Sequence, residues 1–260
     1  MIEKNSIILG DCLDVMKDIP DKSIDLICVD HPYEVLHKNN PHAQWDRIIP
    51  FEPLWEQYER IIKDNGAIVL FAQGMFTAQL MMSNPKLWRY NLVWNKMRCT
   101  GFLNANRMPL RCHEDILVFY KQLPTYHPQM EDLNGREPSH KHGNGKHSGT
   151  NQCYGNIRST HIEPKNPDKK FPRSIIDIKA IHCNEEQSHP TQKAVELIRY
   201  LIRTYTNEGE TVLDSCCGSG TTAIAAIREK RNWICIEKSE EYFNIAKKRI
   251  ENELNQPTLF

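Results

Sequence analysis

The chain has 260 residues, of which 40% are apolar and 25% charged, as is typical of a folded globular protein. It contains no run of about 18 apolar residues, which excludes an ordinary membrane-spanning helix. The 33 basic and 33 acidic side chains cancel, so net charge does not indicate a nucleic-acid partner. Nine cysteines are irregularly spaced without a CxxC pair, and we therefore expect free thiols in a reducing cytoplasm.

Short apolar runs alternate with helical patterns in the first part of the chain. Such runs, bounded by turn residues, predict buried strands at 6–10, 24–30, 67–72, 90–95 and 115–121. Apolar side chains at helical spacing predict a helix over 51–63, ended by Asn65-Gly66. From 122 to about 185 the pattern is lost, and only 174–178 predicts a strand. We interpret this stretch as an insertion. Its histidines and cysteines lack zinc-ligand spacing, so we predict no metal site.

Regular patterns return after the insertion. Helices are predicted over 193–206, 221–230 and 239–254, and strands over 211–214 and 232–237. Strands that alternate with helices predict an α/β fold with a mostly parallel sheet and helices on both faces. In such sheets ligands bind beyond the carboxyl ends of the strands. Asp30 and Asp214 end two of the predicted strands, so these tips are the candidate sites.

The second tip has the features of a nucleotide-binding turn. Asp214 leads through Ser-Cys-Cys to Gly218 and Gly220, and a helix is predicted from Thr221. Glycines allow a close approach of the backbone, and a helix N-terminus offers free N–H groups. Glu237 ends the next strand, where a carboxylate can accept hydrogen bonds from ribose hydroxyls. The third glycine of a dinucleotide motif and the phosphate-loop pattern are both absent from the sequence, which favours an adenosyl ligand without phosphates.

The first tip carries Asp-His-Pro-Tyr at 30–33. Together with the turn at 214–222, this motif resembles the S-adenosylmethionine-dependent amino-methyltransferases that modify adenine N6 or cytosine N4 in DNA. The segment 189–193, His-Pro-Thr-Gln-Lys, is similar to a conserved segment of that family, and Asp11 resembles its adenine-contacting acid. The catalytic motif precedes the cofactor turn, as in the circularly permuted β class. The resemblance implies a Rossmann-like sheet with a terminal antiparallel strand.

The resemblance also implies roles for individual residues. Asp30, His31, Pro32 and Tyr33 form the catalytic tetrapeptide: the Asp30 carboxylate and the carbonyl of residue 31 accept the two amino hydrogens of the base, and Tyr33 stacks on it. Lys193 is expected to face the carboxylate of the cofactor. The predicted cofactor-binding residues are Asp11, Asp30, His189, Lys193, Asp214, Cys216, Gly218, Ser219, Gly220, Thr221 and Glu237.

His31 departs from the proline that is usual at the second position of the tetrapeptide. Pro32 restricts residue 31 to an extended conformation, so we expect the carbonyl geometry to survive. A protonated imidazole would oppose a cationic cofactor. On this hypothesis His31→Pro raises methyl transfer, most visibly at mildly acidic pH.

Residues 86–113 contain six lysines and arginines and no acidic residue, interleaved with aromatic side chains. This pattern is typical of a surface that faces phosphates, and we predict DNA contacts from Lys96, Arg98, Asn104, Arg107 and Arg111. Residues 34–50 are expected to close over a flipped base.

We divide the chain into a catalytic half at 1–121, a target-recognition insertion at 122–187 and an S-adenosylmethionine-binding half at 188–260. The predicted activity is methylation of adenine N6 in double-stranded DNA, because aspartate at the first position of the tetrapeptide implies adenine by resemblance. An N4-cytosine methyltransferase remains an alternative, as does a binding homologue that His31 has impaired. Candidate partners besides DNA are a second copy of the chain and a cognate restriction nuclease, in a bacterial or phage-encoded setting.

Overall fold

The computed structural model describes residues 2–34, 46–133, 148–151, 155–158, 168–181 and 192–255. The chain forms two compact units, one of Met1–His127 with Ser174–Phe260 and one of Pro128–Arg173. The smaller unit lies within the predicted insertion at 122–187, and residues 122–127 and those from 174 onward belong to the larger unit.

The strands are β1 (Ser6–Leu9), β2 (Ile24–Asp30), β3 (Ile62–Ala72), β4 (Trp88–Thr100), β5 (Arg111–Phe119), β6 (Glu131–Asp132), β7 (Ser148–Asn151), β8 (Gly155–Arg158), β9 (Lys169–Lys170), β10 (Ile175–Asp177), β11 (Thr211–Asp214) and β12 (Asn232–Glu237). The helices are α1 (Cys12–Val15), α2 (Phe51–Ile61), α3 (Met75–Ser83), α4 (Val195–Tyr205), α5 (Thr221–Arg228) and α6 (Glu240–Leu254).

Eight strands of the larger unit form one sheet in the order β1-β12-β11-β2-β3-β5-β4-β10. Its neighbours are parallel except where β5 runs antiparallel to β3 and to β4. This mostly parallel sheet is the predicted fold class. The reversed strand was expected at the edge of the sheet, but it lies third from the edge because β10 pairs with β4. In the smaller unit, β6 pairs with β9 and β7 pairs with β8.

Helices cover both faces of the sheet, as the alternation of elements predicts. Successive residues of a strand point to opposite faces. Val29 and Leu70 accordingly pack with Tyr58 of α2, whereas Cys28 packs with Leu201 of α4 on the other face. Each large side chain buried in this way stabilises the fold by about 1.5–3 kcal/mol. Of the helices in the described residues, none is long and apolar enough to cross a membrane.

Two local predictions fail in the larger unit. Cys99 and Cys112 form a disulfide that joins the ends of β4 and β5, with their Cα atoms 4.1 Å apart, so the prediction of free thiols is wrong for this pair. The helix predicted over 51–63 ends at Ile61, and β3 begins at the next residue. Asn65-Gly66 therefore lies inside a strand. The glycine is required there because a Cβ would come within 2.9 Å of the Asp25 carbonyl oxygen.

Candidate active site

The two predicted strand tips line one cavity of about 510 Å³. They meet because β11 pairs directly with β2, with Leu213 opposite Ile27. Of the predicted site residues, this cavity is lined by Asp11, Asp30, His31, Pro32, Lys193, Asp214, Cys216, Gly218, Ser219, Thr221 and Glu237. Tyr33 and Gly220 lie beside the lining, and His189 lies outside the described residues.

The turn after β11 is held by the Asp214 carboxylate. One carboxylate oxygen accepts a hydrogen bond from the Cys216 N–H at 3.1 Å, and the other accepts from the Thr222 hydroxyl at 2.5 Å. Burial raises the pKa of Asp214 to about 7. The carboxylate thus fixes the shape of the turn, and its hydrogen bonds point back to its own loop and helix.

The two glycines of the turn have different tasks. Gly218 lines the cavity and adopts a left-handed φ of 51°, and its N–H donates to the Glu237 carboxylate at 2.8 Å. Gly220 precedes α5 with a φ of 79°. A Cβ on Gly220 would lie 3.1 Å from the Cβ of Ala246, so this glycine allows α6 to approach closely. Gly220, which is predicted to bind the cofactor, therefore lies behind the residues that line the cavity.

Two carboxylates of the cavity are placed to contact an adenosyl group. Glu237 accepts from the N–H groups of Gly218 and Ser239, each at 2.8 Å, which leaves lone pairs for ribose hydroxyls. Asp11 caps α1 by accepting from the Leu13 N–H at 2.9 Å, and its other oxygen pairs with Lys238 at 2.9 Å. Cys12, Leu13 and Cys216 also line the cavity and supply less polar wall. Carboxylate acceptors in a largely apolar cavity suit a nucleoside without phosphates.

A largely buried cluster of charges surrounds Asp30, which also lines the cavity. The Lys193 ammonium contacts Asp30 at 2.5 Å and Glu114 at 3.1 Å, and Lys96 contacts Glu114 at 3.2 Å. Tyr33 donates a hydrogen bond to the second Asp30 oxygen. Burial raises the pKa of Asp30, and Lys193 opposes that rise. Burial disfavours the charged Lys193, but Asp30 and Glu114 outweigh it and raise its pKa. The result is a carboxylate held by an ammonium.

This cluster contains two predicted residues. Lys193 lines the cavity and its ammonium contacts the Asp30 carboxylate, while its predicted contact with the carboxylate of the cofactor stays a prediction. Lys96 was predicted to contact DNA, yet it is buried beside Glu114, so the structure does not place it on the exposed surface. Sequence reasoning missed Glu114. Glu114 is an acidic residue near the start of β5. Because β5 runs antiparallel to β3, it begins at the end of the sheet where β2 finishes, and only this topology connects the residue with the site.

His31 is buried and belongs to a second chain of contacts. Its Nε2 lies 2.9 Å from the Tyr58 hydroxyl, which lies 2.6 Å from the Ser215 hydroxyl. Burial lowers the pKa of His31 to about 4. The low pKa favours a neutral imidazole between pH 6 and 8, which argues against the predicted charge repulsion toward the cofactor in that range. The contacts join the tetrapeptide at 30–33, α2 and the turn after β11.

The backbone after the tetrapeptide is also fixed. Asp46 is buried and accepts from the N–H groups of Tyr33 and Glu34, at 2.9 and 3.0 Å. The Tyr33 ring, predicted to stack on the base, stacks on Phe76 of α3 with ring centres 4.9 Å apart. Of the predicted closing segment at 34–50, residues 35–45 lie outside the described residues, and 47–50 line the cavity.

The other predicted DNA contacts lie on the β4–β5 hairpin. Asn104, Arg107 and Arg111 are exposed, and Arg98 is half-buried near the end of β4. Arg111 also donates to the Gln73 side chain at 2.6 Å. The hairpin leaves the sheet at the end where β2 finishes at Asp30, because β4 runs in the same direction as β2.

A family model for N6/N4 DNA methylases matches residues 24–248, a span that includes both strand tips. The chain belongs to this family. The methylase is 27% identical to the type II methyltransferase M.HinfI of Haemophilus influenzae, over 95% of this chain and 68% of that protein. It is 26% identical to the DNA adenine methyltransferase YhdJ of Escherichia coli (strain K12), over 96% of this chain and 83% of that protein.

Solved structures share the fold of this methylase. M1.HpyAVI in its SAM complex is 23% identical with a TM-score of 0.62, and the match covers 96% of this chain and 99% of that one. The cytosine-N4-specific PvuII DNA methyltransferase is 16% identical with a TM-score of 0.66, covering 98% of this chain and 93% of that one.

Proposed function

We propose that this DNA methylase transfers a methyl group from S-adenosylmethionine to the N6 amino group of an adenine flipped out of double-stranded DNA. The observation that carries the proposal is the single cavity shared by Asp30 and the turn at 214–222. The DNA adenine methyltransferase YhdJ, similar over 96% of this chain, supports adenine as the target base.

Asp30 acts as a hydrogen-bond acceptor in this proposal. The amino nitrogen of adenine is a poor nucleophile because its lone pair is delocalised into the ring. One amino hydrogen binds the Asp30 carboxylate and the other binds the carbonyl oxygen of residue 31, which draws the nitrogen toward tetrahedral geometry. Each Asp30 oxygen retains a lone pair beside its Tyr33 or Lys193 contact. Asp30 holds the amine and does not remove its proton before attack. As the nitrogen takes the methyl group, the sulfonium leaves as a neutral thioether, and the methylated nitrogen then loses one proton to solvent.

The remaining lining residues hold the methyl donor. S-adenosylmethionine supplies a methyl group activated by a positive sulfonium. Glu237 binds the ribose hydroxyls, Asp11 binds the adenine of the cofactor, and the N-terminal end of α5 with Ser219 closes the site beside the reacting groups. The neutral His31 adds no positive charge there.

The DNA contacts are assigned to two regions. The β4–β5 hairpin, with Arg98, Asn104, Arg107 and Arg111, binds the phosphate backbone, and the inserted segment at 122–187 reads the target sequence. We infer that the enzyme works in the cytoplasm of a bacterium or of a phage-infected cell, where DNA is accessible. A second copy of the chain and a cognate restriction nuclease are the proposed partners.

The test is transfer of labelled methyl groups from S-adenosylmethionine to unmethylated DNA, followed by nucleoside analysis. We expect N6-methyladenine from the wild-type protein and a loss of at least about 1,000-fold for Asp30→Ala. Asp14→Ala changes an exposed carboxylate and should retain activity. Detection of N4-methylcytosine instead would show that the target base is cytosine and not adenine. Cofactor binding without methyl transfer would support the impaired homologue.

A further inference from the structure

The β4–β5 hairpin occupies a defined place beside the active site. β4 runs parallel to β2, so its end lies at the edge of the sheet that carries Asp30. Lys96 on β4 and Glu114 on β5 belong to the buried charge cluster around that carboxylate. The base of the hairpin is thus part of the site, and residues 101–110, here called the hairpin tip, extend beyond it.

The hairpin tip exposes large apolar side chains. Phe102 is 70% exposed and Leu103 is fully exposed, and Met108 is more than half exposed. Met97, at the end of the β4 ladder, is exposed as well. A cluster of exposed apolar groups on one turn marks an interaction surface, because in isolation such groups are better buried.

Local bonds stabilise the turn of the tip. The Cys99–Cys112 disulfide closes its base. Above it, the Gly101 carbonyl accepts from the Asn104 N–H at 2.9 Å, and the Asn104 carbonyl accepts from the Arg107 N–H at 2.8 Å. Phe102 and Leu103 therefore lie on a hydrogen-bonded turn, which presents both side chains to a partner.

The charge around these groups selects the kind of partner. Arg98 and Arg111 flank the tip, Arg107 lies within it, and no acidic residue occurs from 97 to 113. Apolar groups surrounded by arginines fit a partner with an apolar interior and an anionic exterior. Duplex DNA has this combination in its base stack and phosphates.

We propose that Phe102 and Leu103 form a wedge that enters the DNA base stack and fills the space left by the target base, while the arginines hold the phosphates. The inference rests on the proposed function, in which the target adenine leaves the duplex to meet Asp30 in the cavity. Flipping loses stacking and pairing of the target base. A wedge that replaces the lost contacts keeps the duplex open while the base is in the cavity.

The experiment compares the double variant F102A/L103A with wild type on two substrates. One is a fully paired duplex, and the other carries a mismatch at the target adenine, which is then already weakly stacked. We expect kcat/KM to fall by about 30-fold or more on the paired duplex but by less than about 3-fold on the mismatched one. M75A/M82A alters two exposed apolar side chains of α3 and should change neither value.

Other results overturn the wedge. An equal loss on both substrates would mean that the tip contributes only general binding or stability, and no loss would mean that it does not enter the stack. A change in oligomeric state on sedimentation of F102A/L103A, with unchanged substrate preference, would assign the tip to a second copy of the chain. If the wild-type protein methylates neither substrate, the proposed function fails first.

Discussion

The strand tip at Asp30, here called the proposed catalytic tip, and the strand tips at Asp214 and Glu237, here called the proposed cofactor tip, line one cavity but are stabilised differently. At the proposed cofactor tip, Asp214 and Glu237 are satisfied mainly by backbone N–H groups and a hydroxyl of their own turn and neighbouring loop. At the proposed catalytic tip, Asp30 depends on Lys193, which lies 163 residues away along the chain. One tip is held by the local course of the backbone, and the other by side chains that only the complete fold brings together.

This difference predicts unequal responses to mutation. A carboxylate that accepts from backbone N–H groups keeps its partners when a neighbouring side chain is changed. A buried carboxylate paired with one ammonium loses its charge balance with a single substitution, and such losses are large. Substitutions beside Asp30 should therefore lower stability and activity more than substitutions beside Asp214 and Glu237.

The largest expected effect is that of Lys193→Met. It leaves the partly buried Asp30 without an ammonium, while Glu114 keeps its contact with Lys96, so the free energy of unfolding should fall by about 3 kcal/mol. The pKa of Asp30, already raised by burial, should rise further. At neutral pH a larger fraction of the acid is then protonated and accepts the amine poorly. We expect methyl transfer to fall by about 100-fold or more at pH 7 and to recover partly at higher pH.

Lys17→Met is the matched control. Lys17 also contacts an aspartate, Asp14, at 2.7 Å, but both side chains are largely exposed. Exposed pairs contribute less than about 1 kcal/mol, so stability and activity should hardly change. Equal unfolding free energies for the two lysine variants would contradict the contrast between buried and local stabilisation.

The same contrast explains which parts of the site the sequence predicts. The turn at 214–222 is a continuous motif whose partners are nearby, and its glycines and acids are recognisable from spacing alone. Glu114, Lys96 and Asp46 join the site only through the antiparallel placement of β5 and the path of the loop before α2. No periodicity identifies such residues, and basic composition suggested the wrong surface for Lys96.

The fold shows a similar division. The buried strands and the amphipathic helices α2 and α4 follow from apolar spacing. α3 was not predicted because its sequence is apolar on most sides, with Met75 and Met82 exposed, so no helical face stands out. The pairing of β10 with β4 depends on the tertiary structure, and the sequence of a three-residue strand does not predict it.

The next effect concerns His31, whose pKa burial lowers to about 4 from its ordinary value near 6.5. A buried neutral imidazole contributes stability that is complete above pH 6.5 and is lost as the pH falls toward 4. Wild type should therefore lose up to about 3 kcal/mol more than His31→Pro between pH 7.5 and 4. Denaturant unfolding of both proteins across this range measures the difference, since titration of the other groups is common to both.

Methyl transfer supplies a second measurement for His31. Because the imidazole is neutral throughout pH 6–8, the ratio of the rates of His31→Pro and wild type should be constant over that range. A ratio that rises as the pH falls toward 6 would restore the charge repulsion that the sequence alone suggested. Tyr58→Phe, which removes the hydrogen-bond partner but keeps the histidine, should retain the pH-dependent loss of stability.

The smallest expected effect separates backbone strain from crowding at the proposed cofactor tip. Gly220 and Gly209 have nearly the same left-handed φ, 79° and 78°. A Cβ at Gly209 meets no heavy atom within 4 Å, whereas one at Gly220 meets Ala246 at 3.1 Å. Gly209→Ala should therefore lower the unfolding free energy by about 1 kcal/mol through strain alone. Gly220→Ala should lower it by about 2 kcal/mol, because α6 must also move. Thermal unfolding of the two variants gives both values. If they are equal, the close approach of α6 contributes nothing, and the turn depends on its backbone conformation only.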